Sequence, residues 1–305
     1  MDASPPAAIP AATMAAMPGA ESRQRMRDGT ELLVRTWLPD PARWPDPRGT
    51  LLLVHGMSEH SGRYLHVIGQ LCDLGLRVRA FDLRGHGRSG GARMVAPRPD
   101  CFHEDLVEIY DATVQQWPEL PIVFGHSLGG LVAARLATAR TRPIRALVLS
   151  SPALGLHLPA AGMALHRVLL TLAPDLRVPS PVRPADLSHD ANEVARYRAD
   201  PLVQRTVTAG LLQSVIDGIA RVQEDAPLLE APTLLIAASA DRVVDPAGSR
   251  RFCDNAPSDL CESAWIDGAF HEVFHETQTL RVQAFDALTG WLRGHLEPAG
   301  GPASA

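Results

Sequence analysis

The chain has 305 residues, 46% of them hydrophobic and 21% charged, with a formal net charge of −5. That is material for one large α/β domain or two small ones, in proportions ordinary for a soluble globular protein. The acidic balance argues against a nucleic-acid partner, which needs a basic surface; the basic side chains besides His are all Arg, with acidic residues interspersed. Cys72, Cys101, Cys253 and Cys261 form no C-x-x-C pair and read as reduced thiols of a cytoplasmic enzyme, not as a disulfide framework or metal ligands.

Residues 1–20 are rich in Ala and Pro and carry no basic start, so they read as a disordered leader and not as a secretory signal. The first strand is expected at Leu32 to Trp37. Thr50 to His55 has no polar alternation, the pattern of a strand covered on both faces. A helix over Tyr64 to Leu74 leads to a strand at Leu76 to Asp82. The following Asp82-Leu-Arg-Gly-His-Gly-Arg-Ser89 reads as a tight scaffold turn. A helix at Asp105 to Gln116 precedes a strand at Pro121 to Gly125, and a helix from Leu128 to Arg140 precedes a strand at Ala146 to Ser150. Strands follow at Thr233 to Ala238 and Glu262 to Ile266. This alternation predicts a mostly parallel central sheet flanked by helices. Residues 152–223 break it, with helical patterns, proline-rich joints and no convincing strand, and read as a helical cap inserted between strands. The core is then residues 21–151 and 224–296, with a flexible tail at 297–305. No segment approaches the length needed to span a bilayer.

Gly125-His126-Ser127-Leu128-Gly129 fits the nucleophile elbow G-x-S-x-G, in which a serine sits on a strained turn between strand and helix. Serine needs a base held by an acid. Asp241 and His271 each follow a strand, in the order Ser, Asp, His expected of this arrangement. Asp245 competes with Asp241 for the acid, and His275 and His295, expected deeper in the final helix, compete with His271 for the base. Backbone amides of Met57, in the loop after the Thr50 strand, and of Leu128 are the candidate oxyanion donors. The side chains of His55 and His60 in that loop read as structural.

Two rivals come from other classes. His271-Glu272-Val273-Phe274-His275 also fits H-E-x-x-H, the zinc-protease helix motif with Glu272 as base; Gly268 and the preceding strand place His271 at a loop or helix edge, which disfavours it. A non-catalytic binding protein on the same scaffold would lack a triad member, and all three are present.

The segment His55-Gly-Met-Ser-Glu-His-Ser-Gly-Arg-Tyr64 resembles the signature of monoacylglycerol lipases and their lysophospholipase-like relatives. Phe81 to Ser89, Gly125 to Gly130, Ala240 to Asp245 and Gly268 to His275 are similar to that family in the same order, over about Glu21 to Leu292. The resemblance implies an α/β-hydrolase fold, with Ser127 as nucleophile, Asp241 as acid, His271 as base and Met57 and Leu128 as oxyanion donors. It implies hydrolysis of a monoacyl lipid ester without cofactor or metal, and a cap whose apolar face admits an acyl chain and touches membranes. Lysophospholipids, short-chain esters and acyl transfer use the same intermediate.

Overall fold

The computed structural model describes residues 19–180 and 182–296. The apolar runs of the sequence become the middle of an eight-stranded sheet. Its strands are β1 (Ala20–Arg25), β2 (Glu31–Trp37), β3 (Gly49–Val54), β4 (Leu76–Phe81), β5 (Ile122–His126), β6 (Ala146–Ser150), β9 (Thr233–Ala238) and β10 (Cys261–Ile266), in the order β1-β2-β4-β3-β5-β6-β9-β10. β1 with β2 and β2 with β4 are antiparallel; the other pairs are parallel. β3, β5, β6 and β9 are buried along their whole length, as their unbroken apolar sequences require. Leu51, Leu52 and Leu53 are fully buried, at about 1.5–3 kcal/mol of burial each.

Alternate side chains of these strands feed two cores. One face packs Leu52, Val123 and Leu147 against α2 (Cys101–Gln116) and α3 (Leu128–Thr138). The other packs Leu51, Leu53 and Phe124 against α1 (Leu65–Asp73) and α8 (Gln278–Leu296). The expected α/β-hydrolase sheet with helices on both faces is therefore the observed one.

The strand order places the functional loops. From β3 the chain turns to β4 on one side, then crosses back to β5 on the other. Such a reversal opens a crevice at the carboxyl ends of the two diverging strands. The His55–Gly56–Met57 loop leaves β3 and the Ser127 turn leaves β5, so both face that crevice.

Three features differ from the expectations. β1 is an exposed edge strand of sequence AESRQR. It lacks apolar alternation, and its first residue lies within the stretch read as leader, whose other residues apart from Gly19 lie outside the described ones. The tail, 297–305, lies outside them too. The insertion between β6 and β9 contains α4 (Ala160–Leu172), α5 (Ala191–Ala199) and α6 (Ala209–Asp225). It also holds a small antiparallel pair, β7 (Arg177–Pro179) with β8 (Thr206–Thr208), where no strand was expected; three residues each are too few to display a period. Finally, α6 continues past residue 223 to Asp225 and buries Leu211, Val215 and Val222 in the same core as Leu131 of α3, so its end belongs to the core packing.

Candidate active site

Ser127 occupies the junction of β5 and α3 with φ 52° and ψ −118°, a conformation costing about 1–3 kcal/mol for a non-glycine residue. The surroundings impose it. Ser127 N donates to Ser150 O at 3.0 Å, while Ser127 O accepts from Leu131 N at 3.0 Å and Ala153 N at 2.9 Å. The flanking glycines are steric necessities: a Cβ at Gly125 would lie 2.3 Å from Gly129 O, and one at Gly129 would lie 2.2 Å from Val54 O. The elbow thus touches the end of β3 directly.

Asp241 follows β9 and is clamped. Its Oδ1 accepts from Val243 N at 2.8 Å and Val244 N at 3.0 Å. Its Oδ2 faces His271 Nδ1 at 2.7 Å, and both side chains are buried. With Nδ1–H donating to Asp241, Nε2 is the free acceptor of the neutral ring. The His271 ring centroid lies 4.9 Å from that of His126, the neighbour of Ser127. Burial pulls the His271 pKa down, but the Asp241 charge and hydrogen bond outweigh it and hold the imidazole above its ordinary 6.5. Among the described residues His126 has no hydrogen bond to a carboxylate, and burial with the nearby His271 keeps it well below.

The competitors have other positions. Asp245 caps α7 (Pro246–Asn255), accepting from Ala247 N at 3.0 Å. His275 sits in a 3-10 turn, Val273–His275, ahead of α8 and not within it as expected; His295 is near the far end of α8. The same turn denies H-E-x-x-H its helix. Glu272 lies outside any helix, with its carboxylate bidentate on Arg63 at 2.6 and 2.7 Å, and His275 Nε2 is 3.1 Å from Arg63 O.

The loop after β3 turns through Ser58 at φ 70°. Glu59 Oε1 accepts from Gly56 N at 2.7 Å, fixing the peptide between His55 and Gly56. Among the described residues neither Met57 N nor Leu128 N has a protein acceptor. His55 is structural as expected: its Nε2 accepts from Leu83 N at 2.9 Å and its Nδ1 donates to Gly56 O at 2.7 Å. Burial pushes its pKa down to about 4. Asp82 organises the next loop by accepting from Ser61 N and Arg88 N, a scaffold role. His60 reaches the insertion, its Nε2 at 2.8 Å from Asp200 Oδ2.

Sequence reasoning missed the charge cluster beneath these loops. Arg63 donates to Glu59 at 2.6 Å and to both oxygens of Glu272, with all three side chains at most 8% exposed. Tyr197 of α5 lies over the guanidinium at 4.8 Å. Burial disfavours the Glu272 charge, yet Arg63 holds its carboxyl below the usual range. One arginine between two carboxylates ties the loop after β3 to the loop of His271. The i, i+4 spacing of Glu59 and Arg63 was a visible clue; the pairing with Glu272, over two hundred residues away, was not. Arg63→Met leaves both carboxylates buried without a cation, and removing one partner from such a group costs about 3–5 kcal/mol. Urea denaturation checks this, and a loss below about 1 kcal/mol would mean the cluster is not a structural tie.

Residues 45–278 match the model of the Hydrolase_4 family, described as serine aminopeptidase, S33, and the chain belongs to that family. Monoacylglycerol lipase of Mycolicibacterium smegmatis is 36% identical over 272 residues, covering 88% of this chain and 95% of that protein. Human monoglyceride lipase is 32% identical over 281 residues, 90% of each chain. The crystal structure of Paleococcus ferrophilus monoacylglycerol lipase superposes with a TM-score of 0.77 at 35% identity, covering 87% of this chain and 99% of that one.

Proposed function

We propose that this chain is a monoacylglycerol hydrolase working through an acyl-enzyme on Ser127. The observation that carries the reading is the Asp241–His271 pair at 2.7 Å, set on the loops after β9 and β10 of a fold whose β5 is followed by a serine at φ 52°. His271 Nε2 takes the Ser127 proton as Oγ attacks the ester carbonyl. The oxyanion rests on the amides of Met57 and Leu128. The glycerol leaves with the proton from His271, and a water activated by the same ring releases the fatty acid. No step calls for a metal or cofactor. The relatives supply the substrate class, since those at 36% and 32% identity are named for monoacylglycerol and monoglyceride.

The insertion acts in this reading as the cap that meets lipid. Leu165, Val168 and Leu172 of α4 are 60%, 53% and 79% exposed, with Leu176 just beyond at 52%. Apolar side chains spaced along one helix face and left in water suit the boundary of a lipid surface. Among the described residues no helix is long and apolar enough to cross a membrane, so the contact is peripheral.

One assay series tests substrate and surface together. Purified enzyme is given monoacylglycerol in vesicles, lysophospholipid, a soluble short-chain ester and an aminoacyl anilide. Monoacylglycerol is expected to give the highest kcat/KM, and preference for lysophospholipid or the anilide would overturn the substrate class. Leu172→Asp is expected to slow vesicle hydrolysis about tenfold or more, the worth of one buried leucine, with the soluble ester unaffected. Equal rates on vesicles would remove α4 from the lipid contact.

A further inference from the structure

At the rim of the sheet opposite Ser127, where β3 and β4 begin, a cavity of about 270 Å³ is lined by Arg43, Trp44, Arg48 and Arg293 among others. Arg43 and Arg48 flank the Trp44 ring, with guanidinium carbons 5.5 and 5.6 Å from its centroid. No carboxylate among the described residues pairs with any of the three arginines, of which Arg48 is half-buried and Arg43 and Arg293 are exposed. Asp73 is the cavity's acidic residue, and it too has no ion-pair partner among the described residues.

The neutral polar groups are equally unengaged. Trp44 Nε1 is buried with no acceptor. Gln70 and Thr289 line the same cavity, and among the described residues neither side chain makes a hydrogen bond. Eight other buried side-chain polar atoms among the described residues also lack a partner, whereas such groups are ordinarily satisfied. A cavity that gathers three guanidiniums without an ion pair and a buried indole N–H is rich in donors, and an anion complements it.

We propose that this cavity binds a small phosphate monoester dianion. Three guanidiniums against one carboxylate leave two positive charges, matching a dianion, and the planar forks of Arg suit phosphate oxygens. The Trp44 face offers an apolar wall to whatever the phosphate carries. The volume lies below the roughly 300–1,000 Å³ of pockets that enclose drug-sized ligands, so the ester is small. The site lies on the opposite rim from Ser127, so its ligand comes from solution and is not a substrate on its way to the elbow.

Calorimetry and tryptophan fluorescence test this at constant ionic strength with two probes, inorganic phosphate and glycerol 3-phosphate. Saturable binding of one anion per chain is expected, with a dissociation constant of about 1 mM or tighter. Tighter binding of glycerol 3-phosphate assigns the site to an organic phosphate; equal binding assigns it to free phosphate. Arg48→Ala and Arg293→Ala each weaken binding about tenfold or more, the worth of a charge-assisted hydrogen bond, and Trp44→Phe removes the fluorescence response. Hydrolysis of a soluble ester stays at the wild-type rate in the arginine variants, which reports that they fold. Arg293 is on the exposed surface of α8, so its loss spares the core. No saturable binding of either probe, or binding indifferent to both arginine changes, overturns the proposal.

Discussion

Ser127→Ala is expected to lower kcat on a soluble ester by about 10⁶-fold, the scale on which removing the nucleophile of a triad acts. The substitution removes one oxygen and little else. Backbone hydrogen bonds hold the turn at φ 52° from Ser150, Leu131 and Ala153, and none uses the serine side chain. Alanine suffers the same backbone strain as serine, so the melting temperature should stay within about 2 °C of wild type. Loss of turnover together with loss of labelling by a fluorophosphonate, on a folded protein, identifies the nucleophile. Residual turnover above about 1% would assign the chemistry to another group. The zinc-protease alternative makes the opposite forecast: Ser127→Ala would be silent and a chelator would abolish activity.

The sheet was legible because its central strands are buried on both faces. Thr50 to His55 and Ala146 to Ser150 announce themselves as unbroken apolar runs, and the observed strands fall within a residue of them. The family resemblance rests on local segments, and the family match bears it out. What sequence could not show depends on distance or on exposure. β1 is polar because it is an edge strand whose side chains are exposed at all but one position. β7 and β8 pair across the insertion through three residues each. The histidine spacing around Val273–His275 suits a helix in sequence, and the 3-10 turn there, the His271–Asp241 pair and the commitment of Glu272 to Arg63 separate the two readings. The Arg43, Arg48 and Arg293 cavity joins a loop before β3 to the last helix; in the sequence these arginines are three among many. Candidate site residues that follow strands were readable by position, whereas the groups that hold them were not.

Asp241→Asn is expected to cost about 10⁴-fold in kcat, and Asp245→Asn less than about threefold. The difference follows from what each carboxylate touches. Asp241 accepts two backbone amides through Oδ1 and faces His271 Nδ1 through Oδ2. Asparagine keeps the shape but can turn an N–H toward the ring, which favours the wrong tautomer and leaves no charge to stabilise the imidazolium. Asp245 accepts from Ala247 N at the start of α7, a contact asparagine also makes well. The pH profile supplies a second reading. In the proposed mechanism neutral His271 is the base, so activity falls as the ring protonates, and its raised pKa puts the acid limb of kcat/KM above pH 6.5. In Asp241→Asn the lowering by burial remains while the principal raising interaction is gone, so the limb moves to lower pH. The same shift is linked to stability. A histidine whose folded pKa is raised contributes stability fully present below its unfolded pKa, which is lost as pH rises through the folded value. The wild type should therefore lose a small increment of stability above pH 6.5 that Asp241→Asn lacks. Equal losses of activity in the two variants, or an acid limb that Asp241→Asn leaves in place, would mean that another carboxylate holds the base.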